Sequence, residues 1–319
     1  MDSGRKTEAR AKGAGHSEHI LHRDLFEGFT YVPAVLSDGV GTEKPFYCYD
    51  AEVVILKGLC DAEPIARALE PEGLVPVRRS SGEAMAAIWL NRLRDTVIGP
   101  YHEIVVAFDV SLTTRQPGSR DSSPYSLLYP FFQGDIVQYL HTLYITSPLS
   151  IQWGREMQAF PKHPRPAHID FDFGGSRKAF EVRWGERRLM AGKVRVDWGP
   201  IPFVRQAVGL FRSFGFYRVA NFLLSRAIQV PIRMPAVTRK QYGVGCEHVG
   251  HILKGLNPVA VRSWPWGPRD RLELGTGFHA DAEPGRESAT DLLAEARFRP
   301  QVVLYVPSLQ MVVTDGAPL

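Results

Sequence analysis

No apolar run of about 18 residues, the length a transmembrane helix needs, occurs in this 319-residue chain, so a membrane-spanning helix is excluded. Cysteine is scarce: Cys48, Cys60 and Cys246 are three, with no paired spacing. That argues against a disulfide framework and suits a reducing compartment. The N-terminus is charged but has no apolar core of a secretory signal, so a cytoplasmic location is expected. Charge of one sign is also lacking, at a net +4. Arg205, Arg212, Arg218, Arg226, Arg233 and Arg239 alternate with apolar residues as on a solvated helix face, and no dense basic cluster points to nucleic acid. The 29 glycines contain neither Gly-x-Gly-x-x-Gly after a strand nor a Walker motif, so no cofactor is indicated. His16-x-x-His19-x-x-His22 falls in a segment poor in apolar groups, and Cys246-x-His248-x-x-His251 lacks the spacing of a standard zinc site, so no metal is expected. Internal repeats are absent.

What is present describes an ordinary globular chain, 44% hydrophobic and 23% charged. Residues 1–30 read as an extension expected to be disordered, because polar and charged residues dominate its first 24 or so. Residues 31–319 read as one domain. Tyr47-Cys48-Tyr49, Val53–Leu56, Glu103–Val110, Tyr139–Trp153, His168–Phe173, Phe180–Trp184, Leu189–Trp198, Ala227–Ile232, Gln301–Val306 and Gln310–Thr314 carry the β-branched and aromatic content of strands. Turn residues Gly174-Gly175 and Gly185-Glu186 separate some of them. Asp61-Ala62-Glu63-Pro64 opens a short helix. The helix formers of Glu83–Arg94 predict another, and Phe203–Leu224 predicts a long amphipathic one. Thr113–Pro124 reads as a long loop. Strand excess with a few helices implies a mainly antiparallel α+β domain.

The segment Trp153-Gly154-Arg155-Glu156-Met157-Gln158-Ala159-Phe160-Pro161-Lys162-His163 is the richest in chemistry. A lysine attacks carbonyls only when neutral, and apolar surroundings lower its pKa. Trp153, Met157 and Phe160 are available as apolar walls for Lys162. Glu103 sits in the apolar run Ile104-Val105-Val106-Ala107-Phe108 and is either an acid/base or the partner of Arg155 in an ion pair.

The Gly-Arg-Glu…aromatic-Pro-Lys pattern of residues 154–162 closely resembles the active-site segment of the acetoacetate decarboxylase-like superfamily. Upstream, Tyr139–Tyr144 through Pro148 to Gly154, and Gly99-Pro100-Tyr101-His102-Glu103-Ile104-Val105-Val106, are similar to further family segments. So, moderately, are Asn221–Leu224 and Gly267-Pro268 with Arg271-Leu272. The resemblance spans roughly Phe46 to Val313. It implies a cone-shaped β-barrel with a few peripheral helices around a Schiff-base Lys162, an active-site Glu103, and assembly as a homo-oligomer.

Departures from the decarboxylases point toward the divergent aldolase-dehydratase-like branch. Their second lysine is replaced by His163, which either supplies a local cation or, as adjacent strand residues do, faces away; facing away is favoured. The decarboxylases' substrate-side arginine would fall near Asp50-Ala51-Glu52, and a second glutamate near Ser122-Ser123-Pro124-Tyr125; neither is there. Gln158 is suited to a substrate carboxylate or hydroxyl, and Tyr125 is a further substrate-binding candidate. Condensation of an oxo acid with dehydration is slightly preferred over decarboxylation. The partner expected is a small-molecule oxo acid, with no nucleic acid and no membrane. A non-catalytic ligand-binding barrel and a secondary-metabolism tailoring enzyme, performing cyclisation or hydration, are the alternatives. Glu83–Arg94 and Thr113–Pro124, read as insertions, favour a substrate bulkier than acetoacetate.

Overall fold

Nearly continuous apolar runs make up the centre of the sheet, as expected where strands are buried on both faces. The computed structural model describes residues 25–26, 29–111, 136–196, 232–239, 246–255, 260–263, 269–278 and 288–318. The largest sheet runs in the order β12 (Cys246–Gly255), β11 (Ile232–Arg239), β7 (Ile136–Ile145), β6 (Tyr101–Ser111), β5 (Ala84–Thr96), β3 (Phe46–Cys60), β15 (Arg299–Pro318) and β13 (Ala260–Ser263). A short β4 (Val75–Pro76) adds beside β6. Neighbours are antiparallel except β7 and β11. Strand β12 pairs with β15 as well as with β11. A second, antiparallel sheet holds β14 (Arg271–Leu274), β10 (Arg187–Arg195), β9 (Arg177–Trp184) and β8 (His168–Asp172), and β1 (Val32–Val35) and β2 (Gly41–Lys44) form a hairpin. The turn glycines Gly175 and Gly185 have φ of 62° and 53°, a region open to glycine at little cost.

The two faces of the large sheet do different work. Val53 and Ile55 of β3 join Trp89, Val105 and Leu140 on one face, beneath α2 (Pro148–Gln158). Val54 and Leu56 join Leu90, Ile104 and Val106 on the other. That second face is covered by β8–β10, α1 (Ala62–Leu69) and α3 (Ala289–Glu295). The cavity described below lies on the first face.

A mainly antiparallel, mixed sheet with few helices is the architecture expected. Three readings need correction. Glu83–Arg94 is not a helix and not a peripheral insertion: Ala84–Thr96 is a central strand, paired with β3 on one side and β6 on the other. Its Ala, Met, Leu and Arg content favours helix, but packing on both faces outweighs intrinsic propensity. Tyr139–Trp153 is not one strand. It ends at Ile145, and Ser147 caps a helix by accepting from the Ser150 N–H at 3.2 Å, with Pro148 in the first turn. Gln301–Val306 and Gln310–Thr314 belong to the single strand β15, which passes its irregularities between Val306 and Met311 by register shifts.

The extension's first 24 residues with His16, His19 and His22, the loop Thr113–Pro124 with Tyr125, the helix Phe203–Leu224, and Gly267-Pro268 lie outside the described residues. So do the side chains of Cys246, His248 and His251, whose backbone runs in β12. Among the described residues, no helix is long and apolar enough to cross a membrane.

Candidate active site

Helix α2 ends at Ala159, which takes the left-handed conformation at φ 52°, and Phe160 closes the turn by donating to the Gly154 carbonyl at 2.9 Å. The chain then runs beside β7: Leu143 donates to the Pro161 carbonyl at 3.1 Å, and His163 donates to the Leu143 carbonyl at 2.8 Å. Arg155 adds a bond from Nη1 to the Lys162 carbonyl at 2.7 Å. Lys162 is thereby held by β7 on one side and α2 on the other, with its side chain on the cavity face.

Lys162 is 2% exposed. Its Nζ donates to the carbonyl and to the Oγ of Ser150, both at 2.9 Å, and lies 3.9 Å from Glu103 Oε2. Nζ also sits 5.6 Å from the centre of the Tyr101 ring. Burial lowers the lysine's pKa from 10.5 to about 8, with Glu103 opposing the shift. Burial likewise raises the Glu103 carboxyl, against the pull of Lys162 and a hydrogen bond from Asn91 Nδ2 at 3.2 Å. Burial thus works against the charge on each partner, and each partner's charge works to hold the other's. Two buried charges without such relief would cost several kcal/mol each.

The cavity in front of the lysine encloses about 780 Å³ counted out to its open mouth. Its wall is mostly hydrocarbon, with Phe46, Val53, Trp89, Leu140, Trp153 and Phe160 prominent. Polar groups on it are Asn91, Tyr101, Glu103, Gln138 and Lys162, and among the described lining residues Lys162 is the one cation. Gln138 reaches back through Nε2 to Asp109 Oδ1 at 3.3 Å, and Asp109 forms an ion pair with Lys57 at 2.7 Å in which both side chains are 0% exposed. Burial lowers the Lys57 ammonium's pKa, with Asp109 opposing.

Lys162 and Glu103 are thus brought together. The ion pair of Glu103 is with Lys162 rather than Arg155, because Arg155 turns to the Lys162 backbone. Trp153 and Phe160 wall the cavity, whereas Met157 packs behind it. His163 lies on the opposite face from the lysine. It is buried rather than solvated, with its ring centre 3.7 Å from that of Trp184 and its Nδ1 accepting from the Arg165 N–H at 3.2 Å. Gln158 is also off the cavity wall: its Nε2 donates to the Val313 carbonyl at 3.0 Å, tying α2 to β15. Of the three residues where the decarboxylases' arginine would fall, Ala51 faces the cavity, Asp50 pairs with Arg94, and Glu52 turns to Lys178 and Tyr305 on the other face.

Sequence reasoning missed Ser150, Tyr101, Asn91 and Gln138. A signal existed for Ser150, since Ser147-Pro148 is a helix start that places residue 150 on the first turn. Asn91 follows from alternation once β5 is read as a strand, with Trp89, Asn91 and Leu93 on one face.

Among solved structures, the chain resembles an acetoacetate decarboxylase from Legionella pneumophila subsp. pneumophila str. Philadelphia 1. The TM-score is 0.52 and the identity 11%, over 86% of this chain and 87% of that one. It also resembles the enduracididine biosynthesis enzyme MppR complexed with pyruvate. Here the TM-score is 0.50 and the identity 15%, over 91% of this chain and 98% of that one. No curated protein matches it. The acetoacetate decarboxylase (ADC) family model matches residues 32–201, more than half of the chain and the whole segment from β1 through Lys162. On that match, and with the motif lysine seated in a buried cavity, the chain belongs to the acetoacetate decarboxylase family.

Proposed function

We propose that this protein is a Schiff-base-forming carbon–carbon lyase that acts on an oxo acid through Lys162. The observation that carries the reading is the lysine itself: buried, facing an apolar cavity, with its pKa lowered to about 8 and a raised carboxyl 3.9 Å away. The neutral amine attacks the substrate carbonyl carbon to give a carbinolamine. Glu103 takes the proton that the Lys162 ammonium gives up and passes it to the departing hydroxyl, which leaves as water, and an iminium remains. Loss of carbon dioxide or of a proton from the neighbouring carbon sends an electron pair into the iminium and gives an enamine. The enamine then takes a proton or adds to an aldehyde.

Condensation with dehydration is slightly preferred over decarboxylation, because Ala51 rather than an arginine faces the cavity where the decarboxylases place their substrate-side cation. The likeness in fold to a structure holding pyruvate is compatible with this choice. A cone-shaped barrel is part of the same proposal, supported by the pairing of β12 with both β11 and β15.

Borohydride reduction in the presence of pyruvate, acetoacetate or longer oxo acids, followed by intact-mass measurement, tests the mechanism. The expected result is a mass gain in the wild type that Lys162→Ala lacks. No adduct with any of these acids would favour a non-catalytic ligand-binding protein.

A further inference from the structure

Two cavity side chains are amides, and a carboxylate holds the nitrogen end of each. Asn91 donates to Glu103 at 3.2 Å, and Gln138 donates to Asp109 at 3.3 Å. Turning either amide over would set its oxygen against a carboxylate oxygen, so chemistry fixes the orientation. The acceptor end of Asn91 is therefore the end left for something else. Asn91 is only 9% exposed, and its Oδ1 has no hydrogen-bond partner although the residue belongs to the cavity wall. A buried acceptor with no donor weakens a fold. A molecule entering the cavity with an O–H or N–H removes that defect. Beside Asn91 on the same face of β5 stand Trp89 and Leu93, both apolar.

We propose that Asn91 is a specificity-determining residue whose Oδ1 accepts a hydrogen bond from a hydroxyl or N–H on the non-reacting part of the substrate. The cavity then takes a carbonyl compound with an apolar body and a neutral donor. A second carboxylate is disfavoured, because it would face both Asn91 Oδ1 and Glu103. This deepens the reading above and rests on the Lys162 imine.

The test uses imine trapping rather than turnover, since Asn91 also holds Glu103. The probes are a homologous series of methyl ketones bearing a terminal hydroxyl, each run beside its unsubstituted parent, with borohydride reduction and mapping of the adduct to Lys162. In the wild type, one chain length of the hydroxylated series should half-saturate trapping at a concentration about three- to tenfold below its parent, the size of one neutral hydrogen bond. Asn91→Leu should lose the ratio between the two series, whatever it does to absolute trapping through Glu103. Asn91→Val, which suits a strand, replaces it if the leucine variant does not fold. Equal trapping of both series by the wild type overturns the inference while leaving the imine intact, and so does a preference that survives in the folded variant. No Lys162 adduct from any ketone overturns this inference, and if the oxo acids give none either, it overturns the imine reading as well.

Discussion

The stem of Lys162 lies against the bare Cα of Gly154: a Cβ built on that glycine would stand 2.2 Å from Cε and 2.7 Å from Nζ of the lysine. The helix tolerates a glycine at this position because the Lys162 side chain crosses there. Alanine is the better helix former by about 1 kcal/mol, and a flexible lysine can move aside, so Gly154→Ala should leave thermal stability nearly unchanged. Displacing the amine by about an ångström should still cost roughly a hundredfold in the rate of imine formation. Melting curves and borohydride trapping measured on the same preparation separate the two effects. A variant that traps as fast as the wild type would show that the lysine does not need this track.

The pH dependence follows from the opposed shifts of the pair. Trapping needs the neutral amine, so its rate should rise with pH to a midpoint near 8, well below an ordinary lysine at 10.5. Glu103 opposes the shift by stabilising the ammonium. Removing its charge in Glu103→Gln should therefore move the midpoint lower, not higher. That variant should also lose turnover, for want of a proton donor, by about a hundredfold or more. A midpoint that did not move would mean the carboxyl is neutral already.

Ser150 accepts from Lys162 through both its hydroxyl and its carbonyl. Ser150→Ala should cost about 1 kcal/mol of stability for the lost hydrogen bond. It should also lower the trapping midpoint, because the ammonium loses an acceptor that stabilises it. Urea unfolding and a trapping profile against pH read these separately.

The Lys57–Asp109 pair is closed to solvent on both sides. Asp109→Leu should lose about 3–5 kcal/mol, since it strips a buried ammonium of its carboxylate. Lys57→Met with Asp109→Leu should recover most of that loss, because apolar replacements of similar size suit a buried site. Denaturant midpoints for the two single variants and the double variant complete the cycle. A double variant no better than Asp109→Leu would show that the pair does more than neutralise itself.

The lysine was legible in the sequence because its motif is contiguous: Gly154, Arg155, Pro161 and Lys162 all act within nine residues. Glu103 was legible as a charge in an apolar strand. The remainder of the site depends on pairing. Asn91 meets Glu103 only through the register that sets the two opposite each other across β5 and β6. Ala84–Thr96 shows no polar alternation until Arg92, since both of its faces are buried, so composition alone favoured helix. Gln158 looked like a ligand for substrate because its amide suits a carboxylate or hydroxyl. The left-handed turn at Ala159 separates it from Lys162 and sends its amide to β15 instead.

Strand β15 contributes Leu309, Met311 and Val313 to the cavity wall, and it pairs with β3, whose Glu52 lies 253 positions from Tyr305 in the chain. Contacts so distant in sequence form late and slowly. Until they form, Lys162 lacks part of the apolar enclosure that lowers its affinity for protons. On the proposed mechanism, reactivity toward ketones is therefore a property of the finished molecule. The adduct yield of a preparation counts the copies whose distant strands have met, and it does so independently of any substrate turnover.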